Sequence, residues 1–201
     1  MGLKAIVTGG SRGIGREIVK ELKRAGYSVT SLSRTEGIDL FDWNKVRDLD
    51  MNCDILINNL GGMGSYEVKD LYDLNKMFLK NFGIGWLLTN RALKHMESKG
   101  FGRIINIASI YGKEKGHNAE FTACKSMIIA YTKSKAGTIK GVTFNTISPG
   151  HIDVNKKFPN KPKVIGKSKD IAKMVRFLCS KEASHINGAN IVIDGGESHS
   201  F

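Results

Sequence analysis

Residues 8–15 read Thr8-Gly9-Gly10-Ser11-Arg12-Gly13-Ile14-Gly15, and their setting decides the fold. Before them, residues 3–8 (Leu-Lys-Ala-Ile-Val-Thr) form an apolar run of strand length. After them, Ile14, Ile18, Val19 and Leu22 recur on one face of a helix predicted over 13–25, which Gly26 ends. A glycine-rich turn that leaves a strand and opens a helix is a dinucleotide signal, because the helix N-terminus offers free N–H groups and a positive dipole end to a pyrophosphate. Gly9 permits the tight turn, Gly13 the close approach of backbone to phosphate, and Gly15 the packing of helix on sheet. Thr8, Ser11, Arg12 and Ile14 complete the cradle.

Outward from this turn, strands are predicted at 27–32, 54–57, 103–108, 141–147 and 190–193, and helices over 67–98, 118–136 and 169–179. Between Arg34 and Met51 the pattern leaves room for a vestigial strand near Ile38–Leu40 and a small helix after Asp42. Strands alternating with helices imply parallel pairing through right-handed crossovers. The expected fold is a three-layer α/β/α Rossmann domain with a doubly wound parallel sheet, one domain over 1–201.

The 201 residues are 41% hydrophobic, enough for a sizeable core. No apolar run approaches the roughly 18 residues of a membrane helix, and the N-terminus lacks the pattern of a secretory signal. Cys53, Cys124 and Cys179 form no C-x-x-C pair, which suits buried thiols in a reducing cytoplasm. No metal site is assigned. The formal net charge of +12 favours anionic partners of any kind.

The end of the second strand sets cofactor preference, since an acid there holds a ribose 2′-hydroxyl and a base a 2′-phosphate. The chain has Ser33-Arg34 at this point and no acid from Ser28 to Arg34. Arg12 lies within reach in the turn, and arginine suits phosphate through its bidentate fork. The pairing predicts NADP rather than NAD.

Five further segments carry a resemblance that runs over nearly the whole chain. They are Asn58-Asn59-Leu60-Gly61, Asn81-Phe82-Gly83-Ile84-Gly85, Ile105-Asn106-Ile107-Ala108-Ser109, Ile147-Ser148-Pro149-Gly150, and Ile186 to Gly196 ending in Asp194-Gly195-Gly196. With the turn of the form T-G-x-x-x-G-x-G, they resemble the short-chain dehydrogenase/reductase family. The resemblance implies that Ser109 orients a carbonyl oxygen, Lys125 holds the cofactor ribose, and Asn81 supports a proton-relay water. It implies cofactor contacts from Asn59, Gly61, Lys125, Pro149, Gly150 and Ile152, with Asp39 and Leu40 as what remains of an adenine pocket. It also implies a homodimer or homotetramer built on the helices at 67–98 and 118–136.

Three departures stand out. Leu60 replaces the family's usual alanine, and Val154 occupies the region of its threonine after the P-G pair. The third bears on the chemistry. The family's Y-x-x-x-K segment is here Phe121-Thr122-Ala123-Cys124-Lys125, twelve residues after Ser109. A tyrosine hydroxyl, with its pKa lowered from about 10 by the nearby lysine, would pass the proton to or from the substrate oxygen. Phenylalanine has none to give. The leading reading is an inactivating tyrosine-to-phenylalanine replacement in an NADP(H)-dependent enzyme that reduces a carbonyl or oxidises an alcohol. The others are a non-catalytic NADP-binding sensor or scaffold, and a second hydroxyl such as Tyr111 in the tyrosine's place.

The region after the second strand and the loop at about 150–168 are short for the family, which leaves an open site. From Lys156 to Lys173 there are seven lysines (156, 157, 161, 163, 167, 169 and 173) against one acid, Asp170. This stretch reads either as a solvated loop or as a clamp for an anionic small-molecule substrate: a nucleotide-sugar, a phosphorylated metabolite or a carrier-linked group. Nucleic acid is disfavoured, since Phe158 is the loop's one aromatic residue. His151 reads as an ordinary loop histidine or a substrate contact.

Overall fold

The computed structural model describes residues 2–63, 67–154 and 164–199. Its strands are β1 (Lys4–Thr8), β2 (Ser28–Leu32), β3 (Ile55–Asn58), β4 (Gly102–Ile107), β5 (Val142–Pro149), β6 (Ile152–Asp153), β7 (Gly166–Lys167) and β8 (Asn190–Ile193). Its α-helices are α1 (Gly13–Arg24), α2 (Trp43–Arg47), α3 (Leu71–Phe78), α4 (Ile84–Lys99), α5 (Ala119–Lys135) and α6 (Ser168–Cys179). Six strands form one parallel sheet in the order β2-β1-β3-β4-β5-β8. The chain runs outward from β1 to β2 and then returns to the other side of β1 with β3. That reversal opens a crevice at the carboxyl ends of β1 and β3, where ligands of such sheets bind.

Strand side chains alternate between two cores. Ala5, Val7, Ile55, Ile57, Ile105 and Ile147 face Ile18 and Leu22 of α1 and Ile171, Val175 and Leu178 of α6. Ile6, Leu56, Ile104 and Phe144 face Leu88, Ala92 and Met96 of α4. Strands buried on both faces read as unbroken apolar runs, which is why β3 and β4 were visible in the sequence. The result is the expected three-layer α/β/α Rossmann fold.

Two expectations are corrected. Residues 38–40 form no strand. The Ile38 N–H instead donates to the Ser33 carbonyl, and Leu40 turns inward to pack with Leu32, Val46 and Met51. Strand β2 is therefore a sheet edge. The long helix of 67–98 begins only at Leu71, where the Asp70 carboxylate accepts from the Asp73 N–H as an N-cap. It is then interrupted by a π-helical turn over Leu79–Gly83. Asn81 sits inside that turn and donates its amide to the Met77 carbonyl, a side-chain bond that competes with the backbone ladder.

Candidate active site

Thr8, Asn59, Ser109 and Pro149 lie at or just beyond the carboxyl ends of β1, β3, β4 and β5. Thr8 ends β1 and ties it to β3: its hydroxyl accepts from the N–H groups of Asn59 (3.0 Å) and Leu60 (2.9 Å). The Asn59 side-chain amide returns the tie by donating to the carbonyls of Thr8 (2.9 Å) and Gly9 (3.2 Å). Gly13 adopts a positive φ of 53° at the first residue of α1. A Cβ on Gly15 would lie 2.2 Å from the Gly9 carbonyl oxygen, so only glycine lets helix and turn meet.

No side chain caps α1, and its first turn holds no acid. Its leading N–H groups have no side-chain acceptor and no acid in the first turn, and the exposed Arg12 precedes them, which suits a pyrophosphate. Ser11 and Ile14 lie in the same turn, partly buried. The residues present therefore fit a dinucleotide. At the end of β2, Ser33 is buried and Arg34 is exposed at the start of a 3₁₀ turn over Arg34–Glu36. Asp39 accepts from the Phe41 N–H at 3.0 Å, and Leu40 lies in the core.

A second group lies between β4, α3 and α5. Lys125 is 3% exposed, and its Nζ donates to the Ile107 carbonyl at 3.1 Å. Burial lowers its pKa from 10.5 to about 8. Asn81 Oδ1 accepts from the Gly62 N–H at 2.9 Å. A Cβ on Gly61 would lie 3.0 Å from both Asn81 Oδ1 and Lys125 Nζ, so this glycine lets the two polar groups converge on one backbone. Phe121 occupies the first turn of α5, which Asn118 caps. Its ring packs with Met77, Cys124, Met63, Phe78 and Tyr111, and Lys125 Nζ lies 5.4 Å from its centre. Ser109 is partly buried at the end of β4, and its hydroxyl accepts from the Tyr111 N–H at 3.3 Å.

Pro149 ends β5, and the Gly150 N–H donates to the Ile193 carbonyl. Ile152 is buried in β6, which pairs with β7. Val154 lies against the glycine-rich turn: a Cβ on Gly13 would be 3.3 Å from its Cγ1. Arg16, Lys167 and Lys169 border a cleft between Gly13 and Asp153. Lys156, Lys157, Phe158, Lys161 and Lys163 of the basic loop fall outside the described residues.

Sequence reading missed two acids. Glu36 folds back through the 3₁₀ turn and accepts hydrogen bonds from Ser31 and Ser33. Glu197 accepts from the His151 N–H at 2.9 Å and contacts His151 Nδ1 through its other oxygen. The Tyr111 ring stands edge-on to both His151 and His117, with centroids 6.2 Å apart in each pair. Burial and the Glu197 charge raise the Tyr111 pKa. No local signal announces either acid, since one contact depends on a turn and the other spans 46 positions.

Comparison with known proteins agrees with this geometry. The profile of the short chain dehydrogenase family matches residues 4–39, and that of the enoyl-(acyl carrier protein) reductase family residues 43–198. The acetoacetyl-CoA reductase of Shinella zoogloeoides is 32% identical over 238 positions, covering 96% of this chain and 97% of that protein. The 3-oxoacyl-[acyl-carrier-protein] reductase of Haemophilus influenzae is 30% identical over 233, covering 96% of each. Both alignments exceed the 201 residues of this chain, so gaps within them fall here. Among solved structures, ElxO with NADP bound superimposes with a TM-score of 0.88 at 26% identity, over 98% of this chain and 99% of the other. A second, titled a short chain dehydrogenase/reductase family protein, gives 0.84 at 27% identity, over 97% of each chain. With profile, relatives and superposition in agreement, the chain belongs to the short-chain dehydrogenase/reductase family.

Proposed function

We propose that this chain is an NADP(H)-binding oxidoreductase built to reduce a ketone, or oxidise the matching alcohol, on an anionic carrier-linked or phosphorylated substrate, and that Phe121 leaves it short of a proton donor. The observation that carries the reading is the convergence of Asn81 and Lys125 on Gly61, with the Lys125 ammonium 5.4 Å from the centre of the Phe121 ring. NADPH, when bound, would supply a hydride for the carbonyl carbon. The chain's residues do the rest. The free N–H groups of α1 would hold the pyrophosphate, and Arg12 with Arg34 the 2′-phosphate. The Ser109 hydroxyl donates to the substrate oxygen. Lys125 would hold the cofactor ribose, and its ammonium lies by the Phe121 ring, where it would lower the pKa of a tyrosine hydroxyl.

The missing element is a hydroxyl at 121. Tyr111 suits the task less well, because its pKa is raised where a proton donor's should be lowered, and the Lys125 charge lies over Phe121. A second reading, a cofactor-binding sensor or scaffold without turnover, draws on the same fact: residue 121 is packed among Met77, Cys124 and Phe78 and offers no acid.

The substrate class rests on the lysine-rich run from Lys156 to Lys173, of which Lys167 and Lys169 border the cleft by Gly13 together with Arg16, Glu17 and Asp153, and on relatives named as reductases of acetoacetyl-CoA and 3-oxoacyl carrier protein. Helices α3 to α5 carry exposed Leu71 (81%), Tyr72, Trp86 (48%) and Met127, the face we assign to a homodimer or homotetramer. The test is calorimetric titration with NADPH and turnover of acetoacetyl-CoA as probe substrate. Micromolar binding with slow turnover supports the proposal, and failure to bind NADPH contradicts it.

A further inference from the structure

We infer that Glu36 sets the balance between the two nicotinamide dinucleotides, by competing with a ribose 2′-phosphate for the hydroxyls of Ser31 and Ser33. The inference rests on the dinucleotide reading above. Residues Arg34–Glu36 make a 3₁₀ turn closed by Gly37 in the left-handed conformation (φ 76°). The turn is fixed by the Glu36 N–H donating to the Ser33 carbonyl (3.0 Å) and the Gly37 N–H to the Arg34 carbonyl (3.1 Å). It carries the Glu36 carboxylate back over the end of β2. There one carboxylate oxygen accepts from Ser31 Oγ at 2.7 Å and from Ser33 Oγ. Ser31 Oγ in turn lies under the glycine-rich turn, 2.3 Å from where a Cβ on Gly10 would stand. The carboxylate is thus at the junction of the phosphate cradle and the strand end, where the adenosine ribose of a bound dinucleotide meets the protein.

The chemistry of the groups fixes the consequence. A carboxylate only accepts hydrogen bonds, so it can receive one from a ribose hydroxyl and none from a phosphate. Each serine has a single O–H, and while both are given to Glu36 neither can serve a phosphate. Among the described residues no salt bridge neutralises Glu36, so its charge opposes a second anion. Arg12 and Arg34 attract that anion. NADPH therefore binds with Glu36 swung off its serines and the two hydroxyls turned to the 2′-phosphate, whereas NADH binds with Glu36 in place. The acid is on the surface, where it is free to turn outward.

Glu36→Gln keeps the size, removes the charge and adds donors. Titrating NADPH and NADH into wild-type protein and E36Q, with thermal unfolding as a check on folding, tests the inference. The ratio of the NADH to the NADPH dissociation constant should rise by about tenfold or more in E36Q, through tighter NADPH and weaker NADH. Glu36→Ala should move it the same way. NADPH binding with an unchanged ratio in both variants overturns the role of Glu36 and leaves the cofactor reading standing. Wild-type protein that binds neither dinucleotide overturns both.

Discussion

The Lys125 ammonium lies 5.4 Å from the centre of the Phe121 ring, while its Nζ donates to the Ile107 carbonyl at 3.1 Å. A buried cation is thus aimed at an aromatic ring with no hydroxyl. In the family's Y-x-x-x-K arrangement the same cation would hold down the pKa of a tyrosine. Here it has a neutral face to act on.

Lys125 should therefore leave a mark on stability. Its folded pKa of about 8 lies below the value of about 10.4 for a free lysine. Below pH 8 both folded and unfolded chains carry the charge, and the fold bears its desolvation cost. Between pH 8 and 10.4 the unfolded chain binds more protons, so stability rises with pH as that cost is relieved. The rise attributable to this residue is about 3 kcal/mol. Urea unfolding at pH 7 and pH 10 for wild type and Lys125→Met should show the difference between the two proteins shrinking by roughly that amount. A constant difference would mean that the amine is solvated.

Arg34 should discriminate between cofactors. It is exposed at the end of β2 beside Ser33. Arg34→Ala should weaken NADPH by about tenfold, the order of one charged hydrogen bond, and leave NADH nearly unchanged. Equal losses for both in calorimetry would place Arg34 on the pyrophosphate or nowhere in the site.

The sequence made most of the fold legible, for a physical reason. Buried parallel strands are apolar on both faces, so β1, β3 and β4 stand out as runs, and α1 and α6 show one apolar face each. The glycine cradle was legible because its spacing is local to one turn, whereas Asn81, Ser109 and Lys125 were named through the resemblance to family segments. What escaped depended on contacts across the chain. Residues 38–40 have strand composition, yet Leu40 gains more by filling the core with Val46 and Met51 than by pairing at an edge. Glu36 stood outside the stretch scanned for an acid, because a 3₁₀ turn brings it back. Glu197 meets His151 only through the pairing of β5 with β8.

The basic stretch should act through charge. Lys169 borders the cleft by Gly13, and Lys161 and Lys163 belong to the same run of lysines. Replacing Lys161, Lys163 and Lys169 by Glu should raise KM for acetoacetyl-CoA severalfold and flatten its salt dependence, with the NADPH dissociation constant unchanged. An unaltered KM would make the stretch a solvated surface.

The apolar face on α3 should mediate self-association. Leu71 and Tyr72 are 81% and 70% exposed on it. Leu71→Lys with Tyr72→Lys should reduce the mass measured by light scattering to that of the 22.1 kDa chain. Unchanged mass in the variant, or a monomeric wild type, contradicts the assignment.

The most direct test of the account is residue 121 itself. Single-turnover oxidation of bound NADPH by acetoacetyl-CoA is measured for wild type and Phe121→Tyr at matched pH. Loss of a positioned general acid costs roughly 10²–10⁴ in rate, so the tyrosine form should gain about that factor with no change in the NADPH dissociation constant. A wild-type protein already as fast as the tyrosine form would contradict the account and place the proton on another group, with Tyr111→Phe then expected to abolish activity.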